Sequence, residues 1–271
     1  PEIHGHSPYF LGFNRGKKSV AIDLSREEGR QTARDLVARS DILVENFSPG
    51  IMNRFGLDWN TLSGLHPGLI YCSVTGYGSK GSHADQPGFD SVFQAESGFA
   101  SLTGDPDRLP MRTGTPIIDI AASMNAVSAI LAATVARQRY GIGQFVEVAL
   151  YDSALALLGY FSMNYLASGN DPVRSGNTAP VATPIGMFET LSGGPIYVSC
   201  GTQRSWEKLA AEVLMRPDLL SDPRFADNRA RNLHRAELMG MLAEAFALQP
   251  RDYWMELARS SRSPIGAVRS V

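Results

Sequence analysis

The chain of 271 residues carries 25 lysines and arginines against 27 aspartates and glutamates, a formal net charge of −2, with 44% hydrophobic and 19% charged residues. That balance excludes a low-hydrophobicity disordered chain and offers no basic surface for nucleic acid. Its two cysteines, Cys72 and Cys200, form no CxxC pair, so neither a zinc site nor a disulfide framework is expected, and a reducing cytoplasm is the expected compartment.

At about 150 residues per domain the length suits one large or two ordinary domains. The sequence contains no run of roughly 18 uncharged apolar residues and no basic-then-apolar leader, so neither a membrane nor a secretory context is expected. Near the N-terminus, His4 and His6 could form a metal pair, but no third ligand lies nearby, and a frayed terminus explains them better. The cations Arg15, Lys17 and Lys18 read as a solvated turn that could also contact phosphate.

From Ser25 to Val44 the pattern predicts a helix capped by Ser25, with glutamates in its first turn, followed by a strand at Ile42–Val44. Short helical turns broken by Gly56 and Gly64 should lead to a second strand over Leu69–Val74. Strands joined through helices imply a parallel sheet.

After the second strand, Gly76-Tyr-Gly-Ser-Lys-Gly81 fits GxGxxG, but a proline and a glycine stand where a phosphate-binding helix would begin. It is better read as a loop at the carboxyl end of a strand. Next comes an apolar helix from Ile120 to Arg139, expected to be buried on most sides, with arginines in its last turn and Gly141 as its left-handed cap. Asp119 stands immediately before it. That acid is either the helix N-cap or a poorly hydrated carboxylate able to act as a nucleophile, and local pattern leaves both open. The same ambiguity holds for Asp152, which follows the strand Phe145–Leu150 and opens another helix.

Residues 168–184 read as a connector. A second domain should follow, with a strand over Pro195–Cys200 and three amphipathic helices around Trp206, Leu238 and Trp254. The domains are set at 1–180 and 181–271. The end, Pro264 to Val271, shows no closing element, and a longer natural protein is the expectation.

The ordered motifs NRGKKSV (14–20), DILVENFSPG (41–50), Arg54-Phe-Gly56, Gly76-Tyr-Gly78, Pro87-Gly-Phe-Asp90 and Gly141-Ile-Gly-Gln144 together resemble the class III CoA-transferase family, of the formyl-CoA and carnitine CoA-transferase type. The resemblance spans nearly the whole chain. It implies an α/β fold, with a Rossmann-like large domain holding a parallel sheet and a smaller C-terminal α+β domain, assembled as interlocked homodimers. Family chains also begin earlier, with a strand and helix that contact CoA, and continue past the equivalent of Val271.

By the same resemblance Asp119 matches the catalytic aspartate and Asp152 a structural acid. Coenzyme A would run past Ile22, Asp23, Leu24 and Ser25, then Asn46, Phe47 and Ser48, with Arg54 near phosphate and Pro87, Gly88, Phe89 and Asp90 flanking the thioester. Backbone amides at the start of the Asp119 helix or in the Gly76–Gly78 loop would stabilise the oxyanion.

Related α-methylacyl-CoA racemases carry a histidine where this chain has Phe89, and phenylalanine cannot move a proton. Transfer of CoA from an acyl-CoA to a carboxylic acid acceptor is therefore expected ahead of racemisation or a role as an inactive CoA-binding subunit. The glycine-rich loop of formyl-CoA transferase has no good counterpart in GNTAPVATPIGMF (176–188), so formyl and oxalyl specificity does not carry over. No metal and no permanently bound cofactor are implied, CoA and acyl-CoA being substrates.

Overall fold

A computed structural model describes residues 2–271. The chain divides into two compact units, residues 1–97 with 114–159, and residues 98–113 with 160–271. Residues 160–180 and the insertion 98–113 therefore group with the second unit. Local bonds explain this: Arg174 donates to the carbonyls of Asp105 (3.1 Å) and Arg108 (2.7 Å), and Gly176 N–H donates to Gly104 O at 3.1 Å.

In the first unit α1 (Pro8–Asn14) and α2 (Glu27–Val37) precede β1 (Ile42–Glu45), α3 (Ile51–Arg54), α4 (Trp59–Leu65) and β2 (Ile70–Thr75). Then come α5 (Asp90–Glu96), α6 (Ile117–Tyr140), β3 (Phe145–Ala149) and α7 (Leu150–Leu157). The three strands form a parallel sheet in the order β1-β2-β3. Alternation on β2 sorts the core: Tyr71 packs with Leu57, Leu62 and Val37 on one face, and Cys72 with Ala122, Ala126 and Val148 on the other.

Several local expectations change. Ser25 does not cap α2: its hydroxyl donates to Asp23 Oδ1 at 2.6 Å in a local turn, and Arg26 occupies the cap position. Gly56, with φ of +63°, breaks the chain as expected, but Gly64 is absorbed into α4, whose cap Asp58 accepts from Asn60 and Thr61.

Helix α6 begins earlier than the pattern implies and is not buried all round. Ile118, Ala122, Ala126 and Ala133 are buried, whereas Met124, Val127, Leu131 and Val135 are exposed. The alanines permit close approach to β2 and β3, and the larger side chains take the opposite face. This is the helix that, by length and composition, could cross a membrane. Its end is polar, Arg137 donating to Asp41 Oδ1 (3.0 Å) and Gly68 O (3.0 Å), and Gly141 caps it at φ +76° as expected.

The return into β3 is sterically fixed, since a Cβ on Gly143 would sit 1.8 Å from Leu69 O. The run after Asp152 is two helices rather than one, because α7 ends at Leu157 and Gly159, with φ of +55°, breaks the chain before the next.

In the second unit α8 (Tyr160–Ser168) leads to β4 (Ile185–Phe188), β5 (Ile196–Ser199), α9 (Gln203–Lys208), α10 (Asn228–Leu233), α11 (Arg235–Phe246), α12 (Arg251–Ser261) and β6 (Ile265–Ala267). The antiparallel sheet order is β4-β5-β6. The chain end thus does supply a closing element: Ile265 pairs with Val198 and Ala267 with Ile196. Trp206, Phe225, Phe246, Leu238 and Trp254 form the core of this unit.

Candidate active site

The site of interest lies at the carboxyl ends of β1 and β2, where open α/β sheets place their ligands. Glu45 ends β1 with its side chain buried. Its carboxylate accepts from the Ser73 hydroxyl on the neighbouring strand and from Phe47 N–H at 2.8 Å. Asn46 turns the other way and donates to Val74 O at 2.6 Å. Two side chains therefore pin the loop that carries Phe47 and Ser48.

A second wall comes from the loop before α5. Phe93 is fully buried, and the backbone crosses it so closely that a Cβ on Gly88 would lie 2.3 Å from the ring. Gly88→Ala is expected to destabilise the first unit by about 1–3 kcal/mol, since the ring is enclosed and cannot yield cheaply. Thermal unfolding checks this, and an unchanged melting temperature would contradict it. Phe89 follows, 78% exposed.

Asp119 completes the site, in a way that local pattern did not foresee. It lies inside α6, in the first turn, and its side chain caps nothing; Pro116 holds the cap position. The cap is supplied from α5: Asp90 Oδ2 accepts from Ile118 N–H at 2.8 Å and Asp119 N–H at 3.3 Å. Asp90 Oδ1 accepts from Gln94 Nε2 at 2.6 Å. The neighbouring amides are engaged too, Ile117 N–H with Thr115 O and Ile120 N–H with Pro116 O. The expected oxyanion donors at the helix start are consequently occupied, as is Gly78 N–H, bonded to Thr75 Oγ1 at 3.0 Å.

Asn46, Phe47, Ser48, Pro87, Gly88, Phe89, Asp90 and Asp119 line one cavity of about 700 Å³, together with Ala122, Ala126, Val127 and Leu150. Among the described residues, Asp119 and Asp90 are the only ionisable side chains in that lining. Asp119 is more open to solvent than an apolar shell would leave it. Partial burial against the apolar wall nevertheless raises its carboxyl above the usual pKa, and the charge of Asp90 adds to the rise.

The remaining positions lie elsewhere. Ile22 and Leu24 line a separate cavity of about 290 Å³ that shares Val44 and Phe47 with the larger one. Asp23 and Ser25 bond each other, Arg54 stacks over Phe55 at 5.2 Å, and Lys17 donates to Asn14 Oδ1. None of Ile22, Asp23, Leu24, Ser25, Arg54 and Lys17 is in the lining of the Asp119 cavity. Residues that sequence reasoning passed over are Glu45 and Gln94. Glu45 stands in the DILVENFSPG motif, and a glutamate directly after the expected strand Ile42–Val44 was the available signal; Gln94 gave none.

An α/β unit with a parallel sheet, a cleft at the carboxyl ends of its strands and a carboxylate on the first turn of the adjacent helix defines the class of site. The chain belongs to CoA-transferase family III, whose model matches residues 1–271. It is 34% identical to the acetyl-CoA:oxalate CoA-transferase of Acetobacter aceti, over 100% of this chain and 69% of that protein. It is 37% identical to the succinate–glutarate CoA-transferase of Agrobacterium fabrum, over 97% of this chain and 65% of that one. The chain thus spans about two thirds of the length of these relatives.

Among solved structures, a CaiB/BaiF family protein from Brucella suis is similar with a TM-score of 0.89 and 38% identity, covering 100% of this chain and 71% of that one. Rv3272 from Mycobacterium tuberculosis gives a TM-score of 0.83 at 32% identity, over 94% of this chain and 67% of that one.

Proposed function

We propose that this protein transfers coenzyme A from an acyl-CoA to a carboxylic acid, with Asp119 as the covalent nucleophile. The observation that carries the proposal is the state of Asp119: its carboxylate faces the cavity without a capping duty, because Asp90 performs that duty. The family membership and the relatives named for oxalate and glutarate support a carboxylate acceptor.

The steps follow from the chemistry of an ionised carboxylate. An Asp119 oxygen attacks the thioester carbonyl carbon, the C–S bond breaks, and CoA leaves as its thiolate, giving an aspartyl-acyl anhydride. The thiolate then attacks the Asp119 carbonyl, forming an aspartyl-CoA thioester and releasing the donor acid as carboxylate. The acceptor carboxylate attacks that thioester to give a second anhydride and thiolate, which recombine at the acceptor's acyl carbon to yield the new acyl-CoA and free Asp119.

No net proton is moved, so a raised basicity at Asp119 serves nucleophilic attack. The backbone of Gly88, which lines the cavity beside Phe89, takes the oxyanion role that the engaged amides of α6 cannot fill. Asn46, Phe47 and Ser48 contact the bound CoA, with Pro87 and Phe89 beside its thioester. Ile22, Asp23, Leu24, Ser25 and Arg54 take the more distant part of CoA. The working protein is a cytoplasmic homodimer with no permanently bound cofactor.

Hydroxylamine added during turnover is expected to convert Asp119 into a hydroxamate, detected by peptide mass. An unmodified Asp119 under conditions of turnover would overturn the mechanism. Racemisation is separated by isotope: with Phe89 in place of a proton carrier, an acyl-CoA deuterated at its α-carbon is expected to keep its label through transfer. Loss of that label to solvent would favour the racemase reading.

A further inference from the structure

Within the proposed mechanism, on which this inference rests, we infer that Asp90 is a positioning residue for Asp119: its carboxylate holds the first turn of α6 and places a fixed negative charge at that helix end near the nucleophile, keeping Asp119 strongly nucleophilic.

A helix N-terminus carries partial positive charge, which favours a nearby carboxylate as an anion and thereby weakens it as a base and nucleophile. Asp119, on the first turn of α6, would be subject to that weakening. In this protein the amides of Ile118 and Asp119 are instead directed at Asp90 Oδ2, so the helix end is satisfied by a different carboxylate. Asp90 is 9% exposed and fixed from its other oxygen by Gln94, which is fully buried, so its charge is poorly screened by water. The acid that the family resemblance placed beside the thioester thus has both oxygens engaged within the protein.

Other charged groups do not compete for this role. On α5, Glu96 accepts from the Tyr77 hydroxyl; on β3, Glu147 accepts from Ser79; on α7, Asp152 is not among the residues lining the cavity. Among the described residues, no cation lines that cavity. The charge facing Asp119 is therefore that of Asp90, which adds to the upward shift of the Asp119 carboxyl.

The test uses the full chain and hydroxamate formation at Asp119, followed against pH. In Asp90→Asn the amide oxygen still accepts from Ile118 and Asp119 while the charge is lost, and a melting temperature close to wild type is the check that the cap survives. The acid limb of the profile is expected to move to lower pH. The plateau rate should fall as well, because nucleophilicity falls with basicity. KM for acyl-CoA should be unchanged.

Asp90→Glu is expected to restore the limb toward wild type, and Asp90→Ala to lose both limb position and thermal stability. If wild type forms the hydroxamate and Asp90→Asn leaves the acid limb where it was, this inference is wrong and the proposed function stands. If wild type forms no hydroxamate at Asp119, the function itself fails first.

Discussion

Asp119→Ala lowers CoA transfer by about 10⁴-fold or more, the scale on which enzymes lose rate when a covalent nucleophile is removed. The expectation follows from what lines the cavity. Asp90 is the only other carboxylate there, and its oxygens are held by Ile118, Asp119 and Gln94. It cannot take over the attack without releasing the start of α6. The same geometry predicts that the fold is unaffected, because the Asp119 side chain caps nothing. Circular dichroism and melting temperature should match wild type while steady-state transfer and hydroxamate trapping both vanish. Activity within tenfold of wild type would remove Asp119 from the mechanism.

A second large effect belongs to the other unit. Arg231 is fully buried, with Nε donating to Thr183 O at 2.8 Å and Nη1 to Gln203 Oε1 at 2.9 Å and Phe225 O at 3.1 Å. Its guanidinium lies over the Trp206 ring at 5.4 Å. Burial pushes its pKa down, and its charge is met by carbonyl groups and an aromatic face rather than by a direct carboxylate partner.

Replacing it by methionine removes a costly buried charge together with Nη2, which has no partner. It also strands the carbonyls of the buried residues Thr183 and Phe225. Each stranded group costs about 1–3 kcal/mol, so a net loss of about 3 kcal/mol is expected. Arg231→Lys should also destabilise, because one ammonium cannot span three acceptors in the planar arrangement of a guanidinium. Denaturant unfolding checks both; a midpoint unchanged in Arg231→Met would show that the charge penalty cancels the bonds.

The architecture was legible where pattern and packing agree. The strands at 42–45, 70–75 and 145–149 follow from short apolar runs bounded by turn residues, and the end of α6 follows from arginines and Gly141. Legibility failed where partners are distant in the chain. β6 reads as an unstructured tail until β5 offers it a ladder, and Ser25 reads as a cap until Asp23 takes its hydroxyl. Helix α6 looks buried all round by composition, yet within its unit one alanine stripe packs against the sheet and its larger apolar residues are exposed.

The sequence by itself determined the family, through motifs whose order and residue types carry their own chemistry, and it singled out Asp119, an acid among apolar neighbours. Only the tertiary structure decided what that acid is free to do. Local pattern can see that a carboxylate stands near a helix start, but it cannot see that Asp90, on a different helix, takes the first amides of α6. Hydrogen-bond satisfaction is settled among all the groups brought together in space, and here it leaves one carboxylate spent on structure and the other available to the cavity.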